Sequence, residues 1–344
     1  MGNDLLLWIK EERGATFVVV ALLIIVLVGV AALAIDIGHL FIVRNELQNA
    51  ADAGALAGAR FLYLYEDVGE YVNEGANEIA YDAAIANRSE NLPVEVHWSG
   101  GNTGDVQRGH WSFSTRTFKS SDNIEYTRIW YVTPDELDAN PDFVNAIRVR
   151  TRRQDTPAAS FFARIFGYEY FFVSAEAVAY VGFAGTLAPG EVDQPIAICK
   201  ESLLMNGQYT DSIGRMVTNN EQVATPPWTI TLPVVECPEN NVVGAVTINI
   251  VWITGEAEDP SYSEAPRVME DPRTGTTWAS NDPDGQLRWD SFVQSFNLRN
   301  LDGSFVPYQE KAIYFLPDCN HHQPKGRTGG ENFGIMAKIP VLVR

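Results

Sequence analysis

The sequence predicts an α+β protein in which a long N-terminal transmembrane helix continues into a mostly β extracytoplasmic domain with a few short helices. Three observations support this class. Residues 15–35 contain no charged side chain. The residues after them favour a helix up to about Arg60. Beyond Pro93, short runs rich in β-branched and aromatic residues replace the helical pattern.

The apolar run at 15–35 is long enough to cross a bilayer. Its 21 residues rise about 1.5 Å each and reach roughly 30 Å, the thickness of the hydrocarbon core. Lys10 and Arg13 precede the run, whereas Arg44 is the nearest basic residue after it. This bias favours a cytoplasmic tail at 1–14 and a single span in the bacterial inner membrane, with the main domain periplasmic or extracellular.

The helix is expected to continue outside the membrane over residues 36–64, because no turn signal follows Ile35. Apolar and small residues recur there at alternating spacings of three and four, which is the pattern of packed helices. The small residues of the distal half would let another backbone approach closely. This seam packs either on the chain's own domain or on a separate partner. Its predicted helix-packing residues are Leu40, Val43, Leu47, Ala50, Gly54 and Ala57.

Three segments of this helix resemble the N-terminal module of the TadE/TadG-like proteins of Tad (Flp, tight-adherence) pilus assembly. They are Arg13-Gly14-Ala15, Asp36-Ile37-Gly38 and the run Leu-Gln-Asn-Ala-Ala-Asp-Ala-Gly-Ala-Leu-Ala-Gly-Ala at 47–59. The resemblance is strongest over residues 13–60. It implies a membrane-anchored accessory protein that acts by protein–protein contacts. Its partners would be membrane lipid and, through the helix, other pilus-assembly proteins or pilin-like subunits.

The resemblance leaves processing of the N-terminus open. Prepilins are cleaved after a Gly and usually carry a Glu five residues later, but the fifth residue after Gly14 is Val19. The uncleaved, TadG-like branch is therefore favoured over a pilin-like subunit incorporated in an extracellular filament. A secreted binding protein is a third alternative, because Ala32-Leu33-Ala34 has the small-x-small form of a signal-peptidase site.

Composition restricts the partners of the exported part. The chain of 344 residues has a net charge of -19, which disfavours nucleic acid as a ligand. An aromatic share of 11% indicates a folded core rather than disorder. Cysteines occur at 199, 237 and 319. In an oxidising compartment Cys237 and Cys319 are the preferred disulfide candidates, since both lie at the edges of apolar strands.

Shorter elements follow the long helix. An α+β region is expected at 65–184, a Gly- and Pro-rich linker at 185–195 and a second β-rich region at 196–344. Helical spacing or length predicts short helices at 70–87, 161–167 and 289–296. Strands are predicted at 94–98, 110–118, 128–133, 145–152, 171–181, 228–235, 245–253, 312–316 and 334–343.

The sequence lacks the patterns that are typical of enzymes. Gly-x-Ser-x-Gly, a phosphate-binding loop, His-Glu-x-x-His and Cys-x-x-Cys are all absent. No catalytic residue, cofactor or small-molecule substrate is therefore predicted. Asp282 and Asp284 are calcium candidates, because their carboxylates precede Gly285 as in part of a calcium loop. The full spacing of such a loop is missing, so an ordinary turn is the favoured interpretation.

Overall fold

A computed structural model describes residues 4–63, 71–130, 132–188, 190–194, 196–200, 203, 209–211, 228–254, 262, 265–271, 274–299, 303–309, 312–318 and 320–343. The elements in chain order are α1 (Asp4–Arg60), α2 (Ala76–Ile85), β1 (Arg88–Ser89), β2 (Leu92–Pro93), β3 (Val106–Trp111), β4 (Phe118–Ser120), α3 (Pro134–Ala139), β5 (Ala146–Ala159), a 3-10 turn (Ala163–Phe166), β6 (Tyr170–Tyr180), β7 (Phe183–Thr186), β8 (Ile198–Cys199), β9 (Tyr209–Asp211), β10 (Trp228–Glu236), β11 (Asn241–Ile253), β12 (Val268–Glu270), β13 (Thr277–Ala279), α4 (Gly285–Ser295), β14 (Ile313–Pro317), β15 (Arg327–Gly330) and β16 (Val341–Val343).

The prediction of a long N-terminal helix in front of a mostly β domain is confirmed. Helix α1 runs without a break from Asp4 to Arg60, which at about 1.5 Å per residue corresponds to roughly 85 Å. No Pro interrupts this stretch, so the backbone hydrogen bonds continue from the apolar half into the domain. Leu64, the last residue predicted for the helix, lies outside the described residues.

The first sheet lies against the second half of α1. Its strands follow the order β16–β6–β5–β3–β4, and all neighbouring pairs are antiparallel. β5 and β6 form a long hairpin, in which Ile147 pairs with Ala179 and Ala159 pairs with Tyr170. The edge strand β16 comes from the far end of the sequence, with Leu342 opposite Ala179. This sheet therefore joins residues that lie far apart along the chain.

The second sheet is formed by the other half of the chain in the order β8–β10–β11–β14–β9. β8 is parallel to β10, whereas the other neighbours are antiparallel. Helix α4 packs on this sheet, where Trp289 contacts the ring of Tyr314 at a centroid distance of 4.6 Å. The predicted linker at 185–195 begins inside β7, which pairs with β15. The division of the chain at this linker stays a prediction.

The first core lies between α1, α2 and the first sheet. The strand predicted at 145–152 is confirmed as part of β5, and apolar and basic residues alternate along it in the sequence, as expected for one buried and one wet face. Ile147 and Val149 are buried against the helices, while Arg148 and Arg150 are half-exposed on the opposite face. The buried face of this strand is therefore the surface on which α1 packs.

Three of the predicted strands are wrong. The residues predicted as one strand at 110–118 instead contain the turn that joins β3 to β4, with Trp111 paired to Phe118. Within 94–98 the described chain makes only a single bridge, from Glu95 to Arg152. The described residues of 128–133 form an irregular connection that ends at Thr133, the N-cap of α3. Thr133 and Glu136 form a capping box, which starts α3 directly after the residues for which the apolar pattern suggested a strand. Sequence alternation alone did not account for this cap.

Several other bounds differ from the prediction. Helix α4 begins at Gly285, four residues before the predicted start, because the carboxylate of Asp284 accepts a hydrogen bond of 2.8 Å from the amide of Gln286. The strand predicted at 334–343 is reduced to β16. The helix predicted at 161–167 is a single 3-10 turn, which ends as expected at Gly167 with a φ of 90°.

The expected disulfide between Cys237 and Cys319 is wrong. Cys199 is bonded to Cys237 instead, with the two Cα atoms 5.6 Å apart. The physical reason is the parallel pairing of β8 with β10, which places Cys199 opposite Val235 and so near the end of β10. β8 has only two residues, so its pairing leaves no periodic pattern in the sequence. Cys319 lies outside the described residues.

Candidate functional site on the long helix

The first half of α1 has an apolar surface that faces away from the protein. The large apolar side chains from Phe17 to Ile35 are exposed, and Leu27 at their centre is 67% exposed. Among the described residues, α1 is the one helix whose length and composition suffice to cross a membrane. A surface of this extent is stable in lipid rather than in water.

The second half of the same helix is part of the protein core. Of the predicted packing residues, Val43, Leu47, Ala50 and Gly54 are buried, while Leu40 and Ala57 are half-buried. Toward the end of α1 the buried positions are Gly58, Ala59 and Leu62, and Phe61 is 39% exposed. An α-helix has 3.6 residues per turn, so its buried face drifts from a strict 3.5-residue seam by about 20° per heptad.

Two glycines of α1 allow the close approach of α2. A Cβ atom added at Gly54 would lie 2.8 Å from the carbonyl oxygen of Ala80 and 2.9 Å from the Cβ atom of Ala84. A Cβ atom at Gly58 would lie 2.7 Å from the Cβ atom of Ala80. Both helices thus present small residues at four-residue spacing, the arrangement that permits backbones to approach. The element that packs on the seam is the chain's own domain.

Polar contacts also connect this half of α1 with the domain. The hydroxyl of Thr151 donates a hydrogen bond of 2.8 Å to the backbone carbonyl of Leu47. His39 lies 2.6 Å from the carboxylate of Glu90, and the backbone amide of Glu90 donates to the carboxylate of Glu46 over 3.0 Å. These contacts fix the helix both to β5 and to the turn between β1 and β2.

Asp36 is the first buried residue of α1 after the apolar run, with 3% exposure. Its carboxylate accepts hydrogen bonds from the amides of Ala163 at 2.6 Å, Phe161 at 2.8 Å and Phe162 at 3.1 Å. The hydroxyl of Ser160 lies 3.4 Å away. The first amides of a helical turn lack acceptors within that turn, and the oxygens of the Asp36 carboxylate serve as these acceptors. Asp36 therefore fixes the end of the β5–β6 hairpin to the helix.

Sequence reasoning used Asp36 only as part of the family resemblance and did not assign it this contact. A signal was present, because Asp36 is a carboxylate directly after 21 residues without charge. A charge in that position requires nearby partners when lipid surrounds it. The partners could not be identified, since they are backbone amides of residues 161–163 and leave no pattern of their own.

The calcium candidates Asp282 and Asp284 form part of a helix N-terminus. Asp284 accepts from the amide of Gln286, and Asp282 accepts from the amide of Asp284 over 2.9 Å. The backbone carbonyl of Asp282 accepts a hydrogen bond of 2.8 Å from Arg288. These contacts account for the acidic run as a turn and cap that start α4.

A second group of potential metal ligands comprises Glu95, His97 and Asp155, whose ligand atoms lie within 4.8 Å of one another. Glu95 accepts from the amides of Gln154 at 2.7 Å and Asp155 at 2.8 Å with one oxygen, and from the amide and hydroxyl of Thr156 with the other. Four donors occupy the lone pairs of this carboxylate. Glu95 therefore acts as a cap on a turn of β5.

The hydrogen bonds of Glu95 also determine its protonation. Burial by itself raises the pKa of Glu95, but the hydroxyl of Thr156 and the three backbone amides outweigh it and lower the pKa from 4.5 to about 2. The carboxylate is ionised at neutral pH, as a cap for backbone amides requires.

Two family models of pilus-assembly proteins match the N-terminal half of the chain. Residues 14–60 match the family described as Flp pilus-assembly TadE/G-like, and residues 46–179 match the family described as Tad-like Flp pilus-assembly. The resemblance seen in the sequence is thereby confirmed, and it extends through α2 and β5 almost to the end of β6. Neither a curated protein nor a solved structure matches the chain.

Proposed function

We propose, from the two Tad pilus-assembly family regions within residues 14–179, that this protein is a membrane-anchored accessory protein of Tad/Flp pilus assembly that acts through protein–protein contacts. The observation that carries the proposal is the shared helix. One uninterrupted α1 contains both the apolar span and the buried seam of the domain. The domain is therefore attached rigidly to its anchor.

The occupied seam supports an accessory protein over a filament subunit. A pilin-like subunit would need to present this helix to neighbouring subunits in the core of a filament. Here Val43, Leu47 and Ala50 are fully buried by the chain's own domain, and Gly54 contacts α2. Exposing that face would remove the apolar residues of α1 from the core of the domain and cost much of its stability.

Two observations support an extracytoplasmic location of the domain. Lys10 and Arg13 lie just before the span, which favours a cytoplasmic N-terminus. The disulfide between Cys199 and Cys237 is typical of an oxidising compartment such as the periplasm. We therefore assign the N-terminal tail to the cytoplasm and the domain to the periplasmic side of the inner membrane.

Three carboxylates in different parts of the fold support a role in contacts rather than in chemistry. Asp36, Glu95 and Asp284 each accept hydrogen bonds from backbone amides of the chain itself. A carboxylate that caps its own backbone is held in a structural role.

The experiment combines deletion in the native host with mass spectrometry of the mature protein. We expect deletion to abolish surface pili, the Met1–Arg13 segment to remain on the protein in the membrane fraction, and sheared pili to lack it. Cross-linking in cells should connect the domain with other pilus-assembly proteins. A mature N-terminus at Ala15 together with incorporation into sheared pili would assign a filament subunit. A soluble protein that starts at Ile35 would assign a secreted one.

A further inference from the structure

The end of the β5–β6 hairpin carries an exposed apolar surface. We call residues 161–172 the hairpin tip. Seven of its twelve residues are aromatic, and Phe166 and Phe172 are 76% and 74% exposed. Connecting loops that face water are normally polar, and a cluster of exposed apolar side chains marks a contact surface. The exposed apolar residues of the tip are Phe161, Ile165, Phe166, Tyr168, Tyr170 and Phe172.

The tip lies at the end of the membrane span. Asp36, the first residue after the apolar run, binds the amides of 161–163. The ring of Phe161 also contacts the ring of His39, with centroids 4.9 Å apart. The hairpin therefore runs back along α1 until its tip reaches the level at which the helix leaves the hydrocarbon core.

The face of α1 directed away from the hairpin shows where the bilayer ends. Its exposed side chains remain apolar beyond Asp36, since Phe41 and Ile42 are 61% and 59% exposed, and the first exposed charge is Arg44. The eight residues from Asp36 to Arg44 rise about 12 Å. The membrane surface consequently lies near Arg44, and the level of Asp36 is roughly 10 Å inside it.

The outward face of β6 changes in polarity at the same height. Tyr170 and Phe172 are exposed and aromatic, whereas Ser174 and Glu176 are exposed and polar on the same face. The backbone carbonyl of Glu176 accepts a hydrogen bond from Gln48, which places it level with that helical residue. Four strand residues span about 13 Å, or about nine residues of helix, so Phe172 lies near the height of His39. The aromatic part of the strand is therefore below Arg44, whereas Ser174 is about level with Arg44 and Glu176 lies above it.

Charge favours lipid acyl chains over an anionic surface as the ligand. The tip contains one basic residue, Arg164, and one acidic residue, Glu169, and is therefore neutral. The chain as a whole carries a net charge of -19, which opposes attraction to anionic headgroups. Burial of the aromatic side chains in the upper part of the bilayer requires neither a basic surface on the protein nor anionic headgroups in the membrane.

We propose that the hairpin tip is inserted in the bilayer that α1 crosses, as a second and non-spanning contact of the domain with phospholipid. Asp36 then has a specific role, because it satisfies the backbone amides of the tip at a depth where water is scarce. Two contacts with one membrane fix the orientation of the domain, whereas a helix alone leaves it free to tilt. This inference rests on the proposed anchoring by α1.

The test measures the depth of a fluorescent probe in proteoliposomes of phosphatidylcholine. The full chain carries Cys319→Ser and Phe166→Cys, the disulfide is kept oxidised, and the new thiol is labelled with an environment-sensitive dye. Lipids with a spin label on the acyl chain act as quenchers. Leu27→Cys in the span is the positive control. Thr115→Cys, exposed near the opposite end of the sheet, is the aqueous control.

We expect quenching to place the probe at 166 at a depth between those of the probes at 27 and 115. Its emission should be blue-shifted relative to that of the probe at 115. Phe172→Cys provides a second reading in case the first variant misfolds. Quenching at 27 with no quenching at 166 and 172 would overturn the insertion while the anchor stands. A blue shift that occurs without quenching and disappears on dilution would assign the tip to a contact between two copies of the protein. That result would equally overturn the insertion. Absence of quenching at 27 would instead overturn the anchor and the proposed function.

Discussion

The carboxylate of Asp36 and the backbone amide of Ala163 lie 2.6 Å apart, although 127 residues separate them along the chain. One partner directly follows the apolar stretch of α1 and the other belongs to the tip of the β5–β6 hairpin. The contact therefore joins the proposed anchor to the domain at the level where α1 leaves its apolar stretch. It also explains why a charged residue is tolerated directly after the apolar run, since a carboxylate with several amide partners is stable away from water.

Replacing Asp36 should release the hairpin tip. Asp36→Ala leaves the amides of 161–163 without their acceptor, and an unsatisfied buried donor costs about 1–3 kcal/mol. We expect a decrease of that order in the free energy of unfolding and faster hydrogen exchange of these amides, both measured in detergent micelles. Asp52→Ala is the matched control. Asp52 accepts from Gln48 on the same helix, and its loss should cost about 0.2–0.5 kcal/mol. Equal effects of both variants would show that the Asp36 contact contributes little.

A methyl group at Gly54 should destabilise the domain. Gly54→Ala places a Cβ atom 2.8 Å from the backbone oxygen of Ala80, so α1 and α2 must separate. Overpacking of this kind costs about 1–3 kcal/mol. The control is Gly38→Ala on the same helix, where a Cβ atom meets nothing within 4 Å. In a helix interior Ala is favoured over Gly by about 1 kcal/mol.

Urea denaturation in micelles would separate the two outcomes of the glycine substitutions. We expect the midpoint to fall for Gly54→Ala and to stay the same or rise for Gly38→Ala, with both proteins still recovered from the membrane fraction. An unchanged midpoint for Gly54→Ala would contradict close packing of α1 on α2.

The stability of the domain should depend on Glu95 in acid. The folded pKa is about 2 and the ordinary value is 4.5, so between these values the unfolded chain binds a proton that the folded chain does not. The stabilisation is therefore fully present above pH 4.5 and is lost as the pH falls toward 2. We expect Glu95→Gln to be less stable than the parent above pH 4.5, and the difference to shrink on acidification.

The measurement is the free energy of unfolding at several pH values for Glu95→Gln and for a control, Glu125→Gln, whose side chain is exposed. The control should follow the parent curve. A difference between Glu95→Gln and the parent that is independent of pH would show that the cap acts without its charge.

Loss of the disulfide should destabilise the second half of the chain. Cys199 and Cys237 enclose a separation of 38 residues, and closing a loop of that length stabilises the folded state by about 4 kcal/mol in the chain-entropy description. Mass spectrometry of a non-reducing digest should yield a peptide linking 199 to 237. Cys199→Ser should remove this peptide and lower the denaturation midpoint, whereas Cys319→Ser should retain it. A linked peptide from 237 to 319 would contradict the pairing.

Local patterns in the sequence predicted the span, the continuation of α1 and the two faces of β5. Each of these depends on residues that are neighbours along the chain, since an uninterrupted apolar run requires lipid and alternation at Ile147 and Val149 separates a buried face from a wet one. The family resemblance had the same origin, because it rests on consecutive residues at 47–59.

The tertiary structure alone decided which residues meet across the fold. Asp36 binds amides more than 120 residues away, Cys199 bonds to Cys237 through the pairing of a two-residue strand, and β16 completes a sheet formed by the first half of the chain. The buried face of α1 ends at Gly58 and Ala59, whereas the predicted packing residue Ala57 is only half-buried, because a straight helix turns every 3.6 residues. Periodicity predicts that a face is buried. The surface that covers it is selected by packing between distant segments, which no local pattern records.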